Sequence, residues 1–436
     1  MRIRVQGGQP LNGVYTPSGS SNAAIHLLAA ALLTNQPVTL ENVPKTASVR
    51  AMLELAELLG AKVEWHEDPR DPAQADHISH RVTVTAEQIG RRHLTQAETQ
   101  GFIGALLYMV PIIVRRGYAR LEIDFPLNRV RTHLEALRDL GIDVVTSDGG
   151  IELRSNTWDF RDVLLTQASV TATSMVMMLA AVLGRETVIR NAACEPHIQS
   201  LGDLLERMGA QVQGIGSNVI TIWGAPSPEG LHGATTTIEA DIIEVASIAA
   251  IAAMSKGRVQ ITQTHKLDLR LISRVYQRLG VSLDLDEGNL YVPRHGDLLI
   301  SNREEDVDAS IETAPWPGFP SDLVAIAAVL ATQSRGTVLI HEKMFNDRLL
   351  FVDKLIRMGA QIVLCDPHRA IVVGPSPLRA IYMDTPDVRI GLGMLGAALI
   401  AKGESVIDNA HAISRSFEHV LVKLQALGAQ IESDSE

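Results

Sequence analysis

The chain of 436 residues has only two cysteines, Cys194 and Cys365, far apart and in no metal-type spacing. Nothing in that pattern suggests a disulfide framework, so a reducing cytoplasm is the expected setting. Aromatic residues make up 4% of the chain, and no apolar run approaches the ~20 residues that a membrane helix needs; the longest, such as IGALLYMVPIIV at 103–114, fall short. The opening MRIRVQGG has no apolar core of a secretion signal. Positive charge is also scarce. The net charge of −11 argues against a general nucleic-acid surface, so any basic site must be local. HExxH, Walker-type and CxxC patterns are all missing, and neither a metal nor a cofactor is expected.

What the chain does have is repetition. A helix ending in Leu-Gly or Met-Gly, followed by a short apolar strand, occurs six times: LELAELLGAKVEW, LEALRDLGIDVVT, LGDLLERMGAQVQ, RVYQRLGVSLDL, VDKLIRMGAQIVL and LVKLQALGAQIES. The glycines are Gly60, Gly141, Gly209, Gly280, Gly359 and Gly428. A glycine just past a helix is the usual stop, because it takes a positive φ without strain. Upstream of each copy lies a small-residue helix that is apolar nearly all round, such as SMVMMLAAVL or VASIAAIAAM, and such a helix belongs in a core. The copy FIGALLYMVPIIVRRGYARLEID fits with an interruption at Pro111. The expected fold is α/β, with six units of about 70 residues forming two compact lobes of three units, rather than a solenoid.

Polar residues gather where the buried helices start: SGSSN (18–22), TQAETQG (95–101), ASVTATS (168–174), EADIIEVAS (239–247), TAPWPGFPSD (313–322) and DTPDVR (384–389). Helix N-termini converging on a cleft between lobes would suit an anion, with phosphate the best match. Ser21, Asn22, Ser169 and Thr171 are candidate ligand contacts in these segments, and His133, after NRVRT, is another. Three prolines stiffen the approach to Asp322, which could serve either as a helix cap or as a general base on a substrate hydroxyl. Arg348 in MFNDRLL, Arg389 in PDVRIG and Arg415 in AISRSFE are expected near helix starts, where a planar guanidinium would hold phosphate or carboxylate. His26, inside an apolar helix, is expected to be a core residue, and Cys194 has no evident base or metal partner.

With RVQGGQPLNGVYTPSGSSNAA, LLTNQPVTLENVP, AACEPHI, TAPWPGFPSD and ISRSFEHVLVKLQALGAQIE, nearly the whole chain resembles the enolpyruvyl transferases. The resemblance implies a two-lobed inside-out α/β barrel, with residues 1–20 and 241–436 in one lobe and 21–240 in the other, and an active-site cleft between them. It also implies transfer of the enolpyruvyl group of phosphoenolpyruvate to a hydroxyl of UDP-N-acetylglucosamine, a step of peptidoglycan precursor synthesis that releases phosphate. Asp322 would face the acceptor hydroxyl, Asn22 would hold the acceptor or the intermediate, and Arg389 and Arg415, with Arg348, would bind phosphoenolpyruvate. The implied partners are these small molecules, with no nucleic acid and no membrane, and the protein would be a monomer or weak homo-oligomer.

The chain departs from the family pattern at several points. Ser21 stands where the family has a lysine, and RLEIDFPLNRVRTH is shorter than the family's mobile loop and lacks its cysteine. Asp124 is the candidate to stand in for that cysteine, and Arg129 or Arg131 for the arginine after the loop. A paralogue using a different acceptor, and a silent relative that binds a nucleotide sugar, therefore remain as alternatives.

Overall fold

The computed structural model describes residues 1–67, 80–100, 102–147, 149–225, 230–286, 288–301, 309–384 and 388–434. It divides into two compact units: Met1–Ser18 with Ala240–Glu436, and Gly19–Glu239. Each unit has its own apolar core. No helix among the described residues is long and apolar enough to cross a membrane.

Six sheets, three in each unit, share one pairing plan. A leading strand pairs in parallel with a central strand, and two antiparallel strands follow. Trp158–Leu164 pairs in parallel with Gly184–Arg190, and the helix Val170–Leu183 lies between them in sequence. Antiparallel Val219–Trp223 and Gln211–Gln213 complete that sheet. In the other unit, Ser310–Glu312 precedes the helix Val324–Gln333 and pairs in parallel with Ser334–His341. Parallel strands need such a crossover, because a tight turn cannot join them.

Two of the sheets obtain their leading strand from a distant part of the chain. Asn12–Tyr15 comes before the helix Ser21–Ala31 but pairs with Arg258–Thr264, the strand that follows the helix Ile242–Met254. Thr235–Thr237 comes before Ile242–Met254 but pairs with Val38–Glu41, which follows Ser21–Ala31. This exchange makes the first unit discontinuous in sequence.

The six glycines after the Leu-Gly and Met-Gly helices all have positive φ, from 86° at Gly280 to 111° at Gly209. Asparagine marks the end of three central strands in the same way. Asn42, Asn191 and Asn409 have φ of 57°, 56° and 55°. The first two donate Nδ2–H to the Ile238 and Leu165 carbonyls, and Asn409 donates to the Asp384 carboxylate, each just past or at the end of the leading strand. Asparagine tolerates this left-handed geometry better than other residues with a side chain. Pro111 does not interrupt a helix. The chain runs as a 3-10 helix over Ile103–Tyr108, and Pro111 falls in the first turn of Met109–Arg116, where its missing N–H costs little.

In the first unit the buried helices Ile242–Met254, Val324–Gln333 and Val388–Ile400 pack on one another. Alanine and glycine on their facing sides permit the close approach. A Cβ added at Gly393 would lie 2.7 Å from the Ala325 Cβ and 3.0 Å from its carbonyl carbon. Gly393→Ala should therefore destabilise the protein by about 1–3 kcal/mol through overpacking, read as a lower denaturation midpoint with an unchanged slope.

Candidate active site

Asp322 is positioned by a turn that its own sequence stiffens. In TAPWPGFPSD the Ala314 N–H donates to the Phe319 carbonyl at 3.1 Å and the Gly318 N–H to the Pro315 carbonyl at 2.8 Å. Gly318 is confined here, since an added Cβ would lie 2.5 Å from that of Ala314. The turn leads into a single 3-10 turn, Ser321–Leu323, which continues into Val324–Gln333.

The base of the turn is tied to Glu342, whose side chain is fully buried. Its carboxylate accepts from the Thr313 hydroxyl at 3.0 Å, the Ser321 hydroxyl at 2.6 Å, and the backbone N–H groups of Met344 and Phe345 at 2.8 and 3.1 Å. A buried carboxylate is tolerated only when its oxygens are well supplied with donors, as these are. The Glu342 carboxylate thus joins the Asp322 turn to the loop carrying Phe345 and Arg348. Arg348 then donates to the Asp322 carboxylate at 2.9 Å, and its guanidinium lies 4.6 Å from the centre of the Phe345 ring. The arginine side chain is 7% exposed and that of Asp322 38%. The result is a carboxylate open to solvent with a buried cation behind it. It can accept a proton from a hydroxyl while its orientation is held.

The remaining predicted residues occupy varied settings. In the same unit Arg389 lies in the first turn of Val388–Ile400. Arg415 is exposed and lies between the short helix His411–Ser414, of which it is the C-terminal cap, and the helix Val420–Ala426. In the other unit Asn22 is exposed in the first turn of Ser21–Ala31, and the Ser20 hydroxyl caps that helix from the Ala23 N–H. Ser21 is buried, and its hydroxyl lies 2.9 Å from that of Thr46. Ser169 caps Val170–Leu183 by accepting from the Ala172 N–H, and Thr171 is half-buried in the first turn. Asp124 and Arg129 are exposed in the connection between the strand Tyr118–Glu122 and the helix Arg131–Asp139. Arg131 is paired with Glu135 instead of being free for a ligand. His133, a candidate ligand contact, is buried.

Two features escaped the sequence reading. Glu342 lies in an unremarkable IHEK segment; the only signal is its alignment with the strand-end asparagines of LEN, IRN and IDN. The other is a buried polar cluster around Glu244, fed by Tyr15, Ser18 and Lys423.

An α/β chain with this pairing plan and a braced, solvent-facing carboxylate at a buried helix start falls in the class of enolpyruvyl-transferase-like proteins. The chain matches the EPSP synthase (3-phosphoshikimate 1-carboxyvinyltransferase) family over residues 5–424 and belongs to that family. It is 38% identical over 436 residues to UDP-N-acetylglucosamine 1-carboxyvinyltransferase of Borrelia garinii subsp. bavariensis, with 98% of each chain covered. It is 40% identical over 432 residues to the protein of that name from Bradyrhizobium diazoefficiens, covering 98% of this chain and 97% of the relative. In fold it is similar to the enolpyruvyl transferase NikO from Streptomyces tendae, with a TM-score of 0.86, 22% identity, and 100% and 99% of the two chains covered.

Below Asn22 the ring of His26 stacks on that of His197, with centroids 5.5 Å apart. His26 Nδ1–H donates to the Asn22 carbonyl at 2.6 Å. Burial pushes His26 down to about 4, and burial with the neighbouring His26 pushes His197 down to about 3. Burial likewise brings His133 down to about 4. These rings are neutral in the fold and gain protons once unfolded, so their contribution to stability is lost as pH falls from about 6.5 towards 4. His26→Asn should make this acid-side loss shallower, by up to about 3 kcal/mol, in denaturation midpoints measured between pH 7 and 4. An unchanged slope would contradict the assignment.

Proposed function

We propose that this chain transfers the enolpyruvyl group of phosphoenolpyruvate to a hydroxyl of UDP-N-acetylglucosamine, releasing phosphate, as a cytoplasmic step of peptidoglycan precursor synthesis. The observation that carries the reading is the Asp322 carboxylate, open to solvent and held by buried Arg348, in a chain whose full-length relatives bear the name of that activity. The units are proposed to be inside-out α/β barrels of three repeats each, a reading supported by the shared pairing plan of the six sheets.

In this reading Asp322 takes the proton of the acceptor hydroxyl as its oxygen bonds to C2 of phosphoenolpyruvate, while C3 gains a proton. The tetrahedral adduct then loses phosphate from C2 and a proton from C3, and the double bond is restored. Asp124 is the proposed proton donor to C3. The donor is a polyanion, so fixed cations and helix ends aimed at the developing charge supply most of the stabilisation. Arg389 and Arg415 are the proposed donor contacts, with Arg129 as a further cation for the phosphate and Asn22 on the acceptor side. Ser169, Thr171, Ser21 and His133 follow as positions that support the acceptor, the last two from buried settings.

A different acceptor is the second reading, and the setting of Ser21 favours it. Its hydroxyl lies 2.9 Å from that of Thr46, and the residue before Asn22 is this serine rather than a lysine.

Phosphate release measured with phosphoenolpyruvate and UDP-N-acetylglucosamine, together and singly, tests the reading. Release should require both. Asp322→Asn should lower kcat by about a hundredfold or more with the thermal transition preserved. Release with another nucleotide sugar alone would favour the second reading, and an unaffected Asp322→Asn rate would remove Asp322 from the mechanism.

A further inference from the structure

Asp241, at the start of the Ile242–Met254 helix, is the most unusual titratable group near Asp322. Its Oδ1 accepts from the N–H groups of Ile243 at 2.9 Å and Glu244 at 3.2 Å, capping the helix. The helix packs against the Ser321–Leu323 turn that carries Asp322, and the two carboxyls are near enough for their charges to interact. Both belong to the same compact unit.

The groups around Asp241 divide in an informative way. Glu244, one turn along, is fully buried and paired with Lys423 Nζ at 3.1 Å. It also accepts from the Tyr15 hydroxyl and the Ser18 N–H. Lys423 further donates to the Ser18 hydroxyl at 2.6 Å, and the Ser18 carbonyl accepts from the Asp241 N–H at 2.9 Å. Across the helix contact, Asp322 has Arg348. Each neighbouring carboxylate thus has its own cation, whereas Asp241 has amide donors and no ion pair among the described residues. Burial, then the charge of Glu244, and more weakly that of Asp322, push Asp241 up to about 7 against those two amide bonds. A buried carboxyl without a cation, facing two other carboxylates, favours its neutral form.

We infer that Asp241 is a positioning residue of the reaction site: by holding a proton it leaves Asp322 as the carboxylate that meets the acceptor hydroxyl, and it spares an anionic donor a second negative charge. This rests on the enolpyruvyl-transfer reading. As pH rises above neutrality Asp241 loses its proton, and a polyanionic donor then meets added repulsion or must draw the proton back as it binds. Neither effect involves a proton passing from Asp241 to substrate.

The test compares the full-length protein with Asp241→Asn and Asp241→Ser, both of which keep a side chain able to cap the helix. Phosphoenolpyruvate binding is followed by calorimetry from pH 6 to 8.5 in two buffers of different ionisation heat. Using the same donor for all three proteins cancels its own ionisation. Between pH 6.5 and 8.5 the wild-type affinity should fall by roughly five- to tenfold more than that of either variant. Near pH 7 the wild type should take up roughly half a proton more. Binding by all three proteins with superimposable pH profiles and equal proton uptake overturns the inference and leaves enolpyruvyl transfer standing. No donor binding by any of them, at any pH, overturns that reading and the inference with it.

Discussion

The site depends on the burial of one carboxylate. Glu342 lies at the end of a central strand and takes hydrogen bonds from two hydroxyls and two amides on two separate segments. Asp322 stands on one segment and Arg348 on the other, so their contact inherits its geometry from Glu342. At three of the other five central strands the corresponding strand end carries an asparagine whose amide donates to the end of the leading strand. Here the polarity is reversed. A carboxylate accepts where asparagine would donate, and its second oxygen is free to hold the Asp322 turn. Losing it would take the acceptor from the buried Thr313 and Ser321 hydroxyls, at about 1–3 kcal/mol for each donor left unpaired.

The small-residue helices do the coarser positioning. Gly393 and Ala325 let two buried helices approach closely, and a third, Ile242–Met254, packs against both. Their starts carry Asp241, Asp322 and Arg389, so close packing in the core becomes a short list of charged groups at one end of the helices. The exchange of leading strands has a related effect. It places Ser18, just before the break between units, against the Glu244 and Lys423 cluster, which connects the chain's passage out of this unit to the carboxyls beside it.

Much of this order is legible in the residues. Leu-Gly and Met-Gly pairs mark helix ends because only glycine takes the required φ cheaply, and all six glycines adopt it. Asp322 stands out because three prolines in the ten residues of TAPWPGFPSD fix the approach to it. The facing of polar residues at helix starts was not legible. Ser21 and His133 stand among polar residues at helix starts, and both are buried, since packing around the helix decides which side is covered. Arg415 was expected near a helix start and lies between two helices, His411–Ser414 and Val420–Ala426; the first is too short for a clear period. Glu342 and Asp241 have common sequence contexts, and their importance comes from partners far along the chain.

The central claim is that the bond broken in the donor joins C2 to the bridging oxygen. Phosphoenolpyruvate labelled with 18O at that oxygen tests it most directly, with the released phosphate and the sugar product examined by mass spectrometry. Addition at C2 followed by loss of phosphate carries the label entirely into phosphate. Label retained in the organic product, with unlabelled phosphate, would mean attack at phosphorus and would contradict the account.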